Sequence, residues 1–128
     1  MPVLGARYRP WIGILVSSVL FSALHAAPNV IAIINLFIGA LFLSIYYLRE
    51  GSIWGVCGWH SAWNWSMMHG LGLTVSGHEP TGGVLFDLQT TGSPVLTGGV
   101  YGPEGSIITT IVFLAGIAVV VMTSRTRG

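Results

Sequence analysis

Four stretches of this chain, residues 10–25, 30–48, 52–73 and 106–123, contain no Asp, Glu, Lys or Arg and are mostly apolar. Crossing a hydrocarbon core of roughly 30 Å takes about 20 helical residues. The second, third and fourth stretches reach that length; the first is slightly short, so it is expected to begin in the headgroup region. Helix is the expected form, because an unclosed strand would leave backbone groups unpaired in lipid. A soluble domain fails on composition, since only 7% of the 128 residues are charged and 52% are hydrophobic. Soluble domains carry about 25% charged residues, and small ones bury the smallest fraction of their surface. The expected fold class is therefore all-α, a polytopic membrane helix bundle of about four transmembrane helices. One long non-cytoplasmic loop, residues 74–105, is rich in Gly and Pro, which predicts turns and no long element.

The sparse charges set a direction. Arg7 and Arg9 precede the first stretch, Arg49 lies between the second and third, and Arg125 and Arg127 follow the fourth. With four crossings all five arginines fall on one side, which the positive-inside bias makes cytoplasmic, together with both termini. Glu79, Asp87 and Glu104 fall on the other side. Pro103 and Glu104 suit the first turn of the fourth helix, where a proline is tolerated and an acid meets the positive dipole end. A net charge of +1 gives no reason to expect a nucleic-acid partner. The single cysteine, Cys57, rules out an internal disulfide, and no cleavable signal peptide is evident.

In lipid the informative residues are the polar ones, because each is costly unless it faces the bundle interior. Ser18, Ser22 and His25 fall on one helical face, with Phe21 four residues before His25. Cys57, His60 and Asn64 share a face of the third stretch, whereas His69, nine residues from His60, lies on another. Asn35 has Gly39 one turn below it, which would allow close helix approach. Ser18, Ser22 and Asn35 read most simply as interhelical hydrogen-bonding groups, and Cys57 as a small buried hydrophobe. His69 and His78 lie near the outer interface, where a histidine needs no special role. His25 and His60 are different: two imidazoles on polar stripes in so apolar a chain point to a catalytic or metal site.

Those residues carry a resemblance. Phe21-Ser-Ala-Leu-His25 resembles an FxxxH motif, and His60-Ser-Ala-Trp-Asn64 resembles an HxxxN motif. Both belong to the CAAX-processing and bacteriocin-processing intramembrane metalloprotease family, which includes the type II CAAX prenyl proteases. The segments Trp11 to His25, Asn35 to Trp54 and Leu96 to Ser106 are similar to family stretches in the same order. The resemblance implies one membrane-embedded domain over residues 1–128. It also implies hydrolysis of a peptide bond in a membrane-associated substrate, including substrates with a prenylated cysteine. His25, His60 and Asn64 become the catalytic residues, and His25 and His60 ligands of a divalent metal, zinc by the nature of the donors. Membrane lipid and a peptide or protein substrate are the implied partners.

One family motif has no counterpart here. The Glu-Glu-xxx-Arg pair that supplies the general base is not found, so the domain reads as N-terminally truncated and is expected to be inactive alone. Glu50 and Glu104 are expected at opposite ends of the bundle, neither replacing that acid. Counting helical rise from the cytoplasmic ends puts His25 about 22 Å deep and His60 about 12 Å deep, whereas ligands of one metal lie within about 4 Å of each other. The rival readings are a non-catalytic membrane scaffold or immunity-type binding protein, and a bis-histidine haem protein.

Overall fold

The computed structural model describes Arg7 and residues 9–123; Arg125 and Arg127 lie outside the described residues. Its helices are α1 (Pro10–Leu24), α2 (Val30–Glu50), α3 (Ile53–Trp65), the single-turn α4 (Pro94–Thr97) and α5 (Ile107–Thr123). No β-strand occurs among the described residues, only an isolated bridge between Val75 and His78. The all-helical class is as expected. α2 is the one described helix long and apolar enough by itself to cross a membrane; α1 and α5 are shorter apolar helices. The third stretch departs from its expected extent: α3 ends at Trp65 and passes into a π-helical turn, Ser66–Gly70.

Local chemistry sets the helix ends. Pro10 occupies the first turn of α1, where its missing N–H costs nothing. The side chain of Asn29 accepts from the Ala32 amide at 2.8 Å and starts α2. Gly51 closes α2 at φ +66°, a left-handed conformation that favours glycine. Ser52 caps α3, and the Ser106 hydroxyl accepts from the Thr109 amide at 3.3 Å at the start of α5. That last cap corrects the expected start of the fourth helix. Pro103 and Glu104 belong instead to a separate 3-10 turn, Pro103–Gly105, because Ser106 is extended and breaks the helical path.

α2 is the central helix and packs against α1, α3 and α5. The five-residue link between α1 and α2 makes them antiparallel neighbours, so Arg9 before α1 and Arg49 in the last turn of α2 lie at the same end. The packing is inverted relative to a water-soluble bundle. Buried positions are mostly small or polar: Gly13, Ser18 and Ser22 on α1, and Ala32, Asn35, Gly39, Ala40 and Ser44 on α2, beside the larger Leu36 and Phe42. Large apolar side chains face outward instead, among them Leu20 (57% exposed) and Ile111 (63% exposed). Small interior residues let backbones approach, which is how helices associate in lipid. At Gly39 a methyl group would sit 2.9 Å from the Phe113 ring, so α2 and α5 meet there only because that position is glycine.

Two of the three expected interhelical hydrogen-bonding groups behave as such. Ser22 donates to the Ile33 carbonyl at 3.1 Å, joining α1 to α2. Asn35, 1% exposed, donates to the Glu104 carbonyl at 2.8 Å and the Ser106 carbonyl at 2.7 Å, and accepts from the Thr110 hydroxyl. Ser18 is the correction: it is fully buried, yet its hydroxyl has no hydrogen-bond partner among the described residues. Its small size, not its hydroxyl, is what the α1 interface uses. Asn35→Ala would orphan the Glu104 carbonyl and the Thr110 hydroxyl and leave the Ser106 carbonyl only the Thr110 amide at 3.4 Å. It is expected to lower stability by about 2–4 kcal/mol, measured by denaturation of the reconstituted protein.

Candidate functional site

His25 caps the C-terminus of α1 and His60 lies on α3, and the ring of Phe21 touches both. Ring centroids are 4.2 Å apart for Phe21 and His25, and 6.0 Å for Phe21 and His60, the latter edge-on. Both imidazoles line one cavity of about 30 Å³, walled by Phe21, Trp59, Trp63 and Phe113 and reached by Asn35 and Glu104. That volume holds one or two water molecules. The difference in depth expected from helical rise does not keep the two rings apart, since both line this one cavity. Asn64, one turn beyond His60, bonds to it directly, whereas His69 and His78 lie outside the cavity lining.

Hydrogen bonding gives the two rings different roles. Nδ1 of His25 lies 2.7 Å from the Phe21 carbonyl, which can only accept, so the proton is on Nδ1 and the Nε2 lone pair is free. At His60 the Asn64 amide N–H placed 3.3 Å from Nε2 donates to it and puts the ring proton on Nδ1, while the Asn64 Oδ1 is buried without a hydrogen-bond partner among the described residues. The site therefore pairs a free base with a hydrogen-bond donor.

Glu104 is the largest departure from the expected arrangement. Expected at the opposite end of the bundle from Glu50 and in no position to replace the missing acid, it is 8% exposed and lines the histidine cavity. Its Oε1 accepts from the Trp63 indole N–H at 3.1 Å. Its Oε2 accepts from the Ser76 amide at 2.9 Å and the Ser76 hydroxyl at 2.6 Å. The outer loop thus folds inward at both 76 and 104, and no basic side chain is among the carboxylate's hydrogen-bond partners. Sequence periodicity could not find this, because neither residue lies on a regular helix. The available signal was an acid set among glycine turns just before an apolar helix. Gly102, at φ +85°, makes the inward path possible: a Cβ there would collide with the Thr74 carbonyl.

These residues fit the implied metal poorly. A catalytic zinc uses three protein ligands and an open position. His25 offers one free lone pair, that of His60 is engaged by Asn64, and no group of three or more His, Cys, Asp or Glu suited to a metal occurs among the described residues. A haem between the rings would need far more space than the cavity provides.

A second, larger groove of about 480 Å³ runs between α1, α2 and α3 and meets the first cavity at Phe21 and His60. Its wall is mostly apolar and includes Leu43, Tyr47, Val56 and Cys57. Cys57 is exposed on this groove, which corrects its expected burial; α3 presents that face to open space, not to a neighbouring helix.

Tyr101 packs beside this network in the outer loop, against Ala32 and Leu36. Burial pushes its hydroxyl above the ordinary tyrosine value; the nearby Ser76 hydroxyl opposes the shift and the charge of Glu104 adds to it. The unfolded chain then ionises first as pH rises. The stability that the neutral hydroxyl contributes is complete below about pH 10 and is lost above it. The melting temperature of the wild type is expected to fall more steeply between about pH 9 and about pH 11 than that of Tyr101→Phe.

A family model described as Type II CAAX prenyl endopeptidase Rce1-like matches residues 1–66. The matched region runs through α3 and contains His25, His60 and Asn64, whereas Ser76 and Glu104 lie beyond it. Nothing among curated proteins or solved structures matches the chain significantly.

Proposed function

The chain belongs to the Rce1-like type II CAAX prenyl endopeptidase family, a membrane-embedded protease family, and on that basis we propose that its histidine cavity is a peptide-hydrolysing site working on membrane-associated substrates. The observation that carries this reading is the convergence of His25 and His60 on one small cavity that Glu104 also lines, walled mostly by apolar side chains inside an apolar bundle. The apolar groove that reaches Phe21 and His60 supports entry of a lipid-anchored peptide, prenylated ones included, since its volume suits a hydrocarbon chain.

The chemistry follows from the two rings. His25 Nε2 takes a proton from a cavity water while the water oxygen bonds to the scissile carbonyl carbon. The carbonyl π pair moves onto oxygen, where the His60 Nδ1–H donates to the developing charge. Collapse re-forms the carbonyl, breaks the C–N bond, and returns the proton from His25 to the departing amine. Asn64 holds His60 in the tautomer that leaves Nδ1–H available. A divalent metal such as zinc on His25 and His60 is not part of this route, since these two rings together present one free lone pair where such a site uses three ligands.

Contrary to the inactivity expected from the lack of the Glu-Glu-xxx-Arg pair, this route predicts that the full chain in vesicles cleaves an internally quenched peptide with a prenylated cysteine. His25→Ala and His60→Ala should each lower kcat/KM by about 100-fold or more, and 1,10-phenanthroline should leave the rate unchanged. Equal rates in wild type and both variants would discard the hydrolytic reading, and loss of activity on chelation would restore the metal.

We further propose four membrane crossings, formed by α1, α2, α3 with its π turn, and α5, with both termini on the cytoplasmic side. Outward-facing apolar side chains and the shared end of Arg9 and Arg49 support this. In a Cys57→Ala background, Glu79→Cys should react with a membrane-impermeant maleimide only from the non-cytoplasmic face. Labelling from the cytoplasmic face would overturn the topology.

A further inference from the structure

The hydrolytic route above uses no carboxylate, yet one is built into the cavity wall. Glu104 is buried where no lysine or arginine is among its hydrogen-bond partners. A carboxylate has about four acceptor positions. Trp63 fills one on Oε1, and the amide and hydroxyl of Ser76 fill both on Oε2. One position on Oε1 is left over, on a residue that lines a cavity sized for one or two waters. Facing the same space is His25, whose Nε2 is an acceptor without a donor. A water molecule has two O–H donors, and this cavity offers two unfilled acceptors. Buried polar groups of this kind are as a rule paired, by water where protein does not supply a partner.

We propose that Glu104 is the carboxylate of this site, with its open Oε1 position and His25 Nε2 together holding the hydrolytic water. One O–H of the water points to each acceptor, so its lone pairs are turned away from both and toward an incoming carbonyl carbon. His25 takes one proton as the oxygen–carbon bond forms, and the other O–H stays on Glu104. The positive imidazolium that results lies in the same cavity as the negative carboxylate, which offsets the charge created in a low-dielectric interior. The carboxylate is fixed before substrate arrives: Trp63 is itself stacked on Trp59 at 5.4 Å, and the Glu104 carbonyl is held by Asn35. Such a group needs no reorganisation during the reaction.

This inference rests on the hydrolytic reading, and two measurements separate their failures. In the vesicle assay with the prenylated quenched peptide, Glu104→Gln should lower kcat by about 100-fold or more with KM nearly unchanged. Glu79→Gln, on the exposed outer loop, should match wild type. If the glutamine variant does not fold, Glu104→Asp, which keeps the charge and shortens the reach, should still lose about 10-fold. Wild-type kcat in a folded Glu104→Gln protein would overturn the proposal and leave the hydrolytic reading standing. The second measurement needs no turnover. The infrared difference between wild type and Glu104→Gln isolates the Glu104 carboxylate band. That band should shift in His25→Ala, where the shared water loses its other partner. A band indifferent to that change would show a purely structural carboxylate and overturn the proposal, whether or not the chain cleaves peptide.

Discussion

A polar group with no water to turn to must be paired within the protein, and in this bundle that requirement is met chiefly at Asn35. The residue lies on the central helix, is almost wholly inaccessible, and spends both donors and its acceptor on a single distant segment. Unpaired buried carbonyls are costly, and more so where hydrocarbon replaces solvent. The Asn35 amide therefore specifies where the segment 104–110 must lie against α2. α5 follows directly from that segment, and the close approach of Gly39 and Phe113 completes the same interface.

The cavity depends on the same anchor. By holding the Glu104 carbonyl, Asn35 turns the Glu104 side chain toward α3, where Trp63 meets it. Ser76 binds the other carboxylate oxygen and draws the beginning of the outer loop down over the histidines. A loop dense in glycine and proline thus contributes two polar walls to the cavity that the helices alone would leave unfinished. Its glycines serve here to bring backbone close to backbone, as at Gly102 and Thr74.

The family relationship covers the first half of the molecule and the two histidine motifs, whereas the residues that close the cavity come from the second half. In the proposed mechanism these halves differ in chemistry. The first supplies a free imidazole lone pair and an imidazole N–H, each with its tautomer set by a neighbour within the same helix. The second supplies a carboxylate whose remaining acceptor position faces them. The apolar groove lies on the side of α3 that carries Cys57 and the opening between α1 and α2.

Helix positions were legible in the residues because charge-free apolar runs are local signals, and the caps that the structure shows at Asn29, Gly51 and Ser52 likewise need no tertiary partner. The shared face of His60 and Asn64, the small residue at Gly39 and the polar role of Asn35 followed from helical periodicity in the same way. Depth was not legible, since rise along a helix says nothing of where a neighbouring helix begins, and so His25 and His60 looked too far apart. Cys57 was misjudged because burial depends on which neighbour covers a face. The inward turn of Ser76 and Glu104 was invisible for a related reason: an irregular loop has no period, and its path is decided by hydrogen bonds between groups far apart in sequence, such as Asn35 with Glu104 and Ser106, 69 and 71 residues away. Local covalent and capping preferences could write the helices, but only long-range pairing of buried polar groups could bring an acid to the histidines.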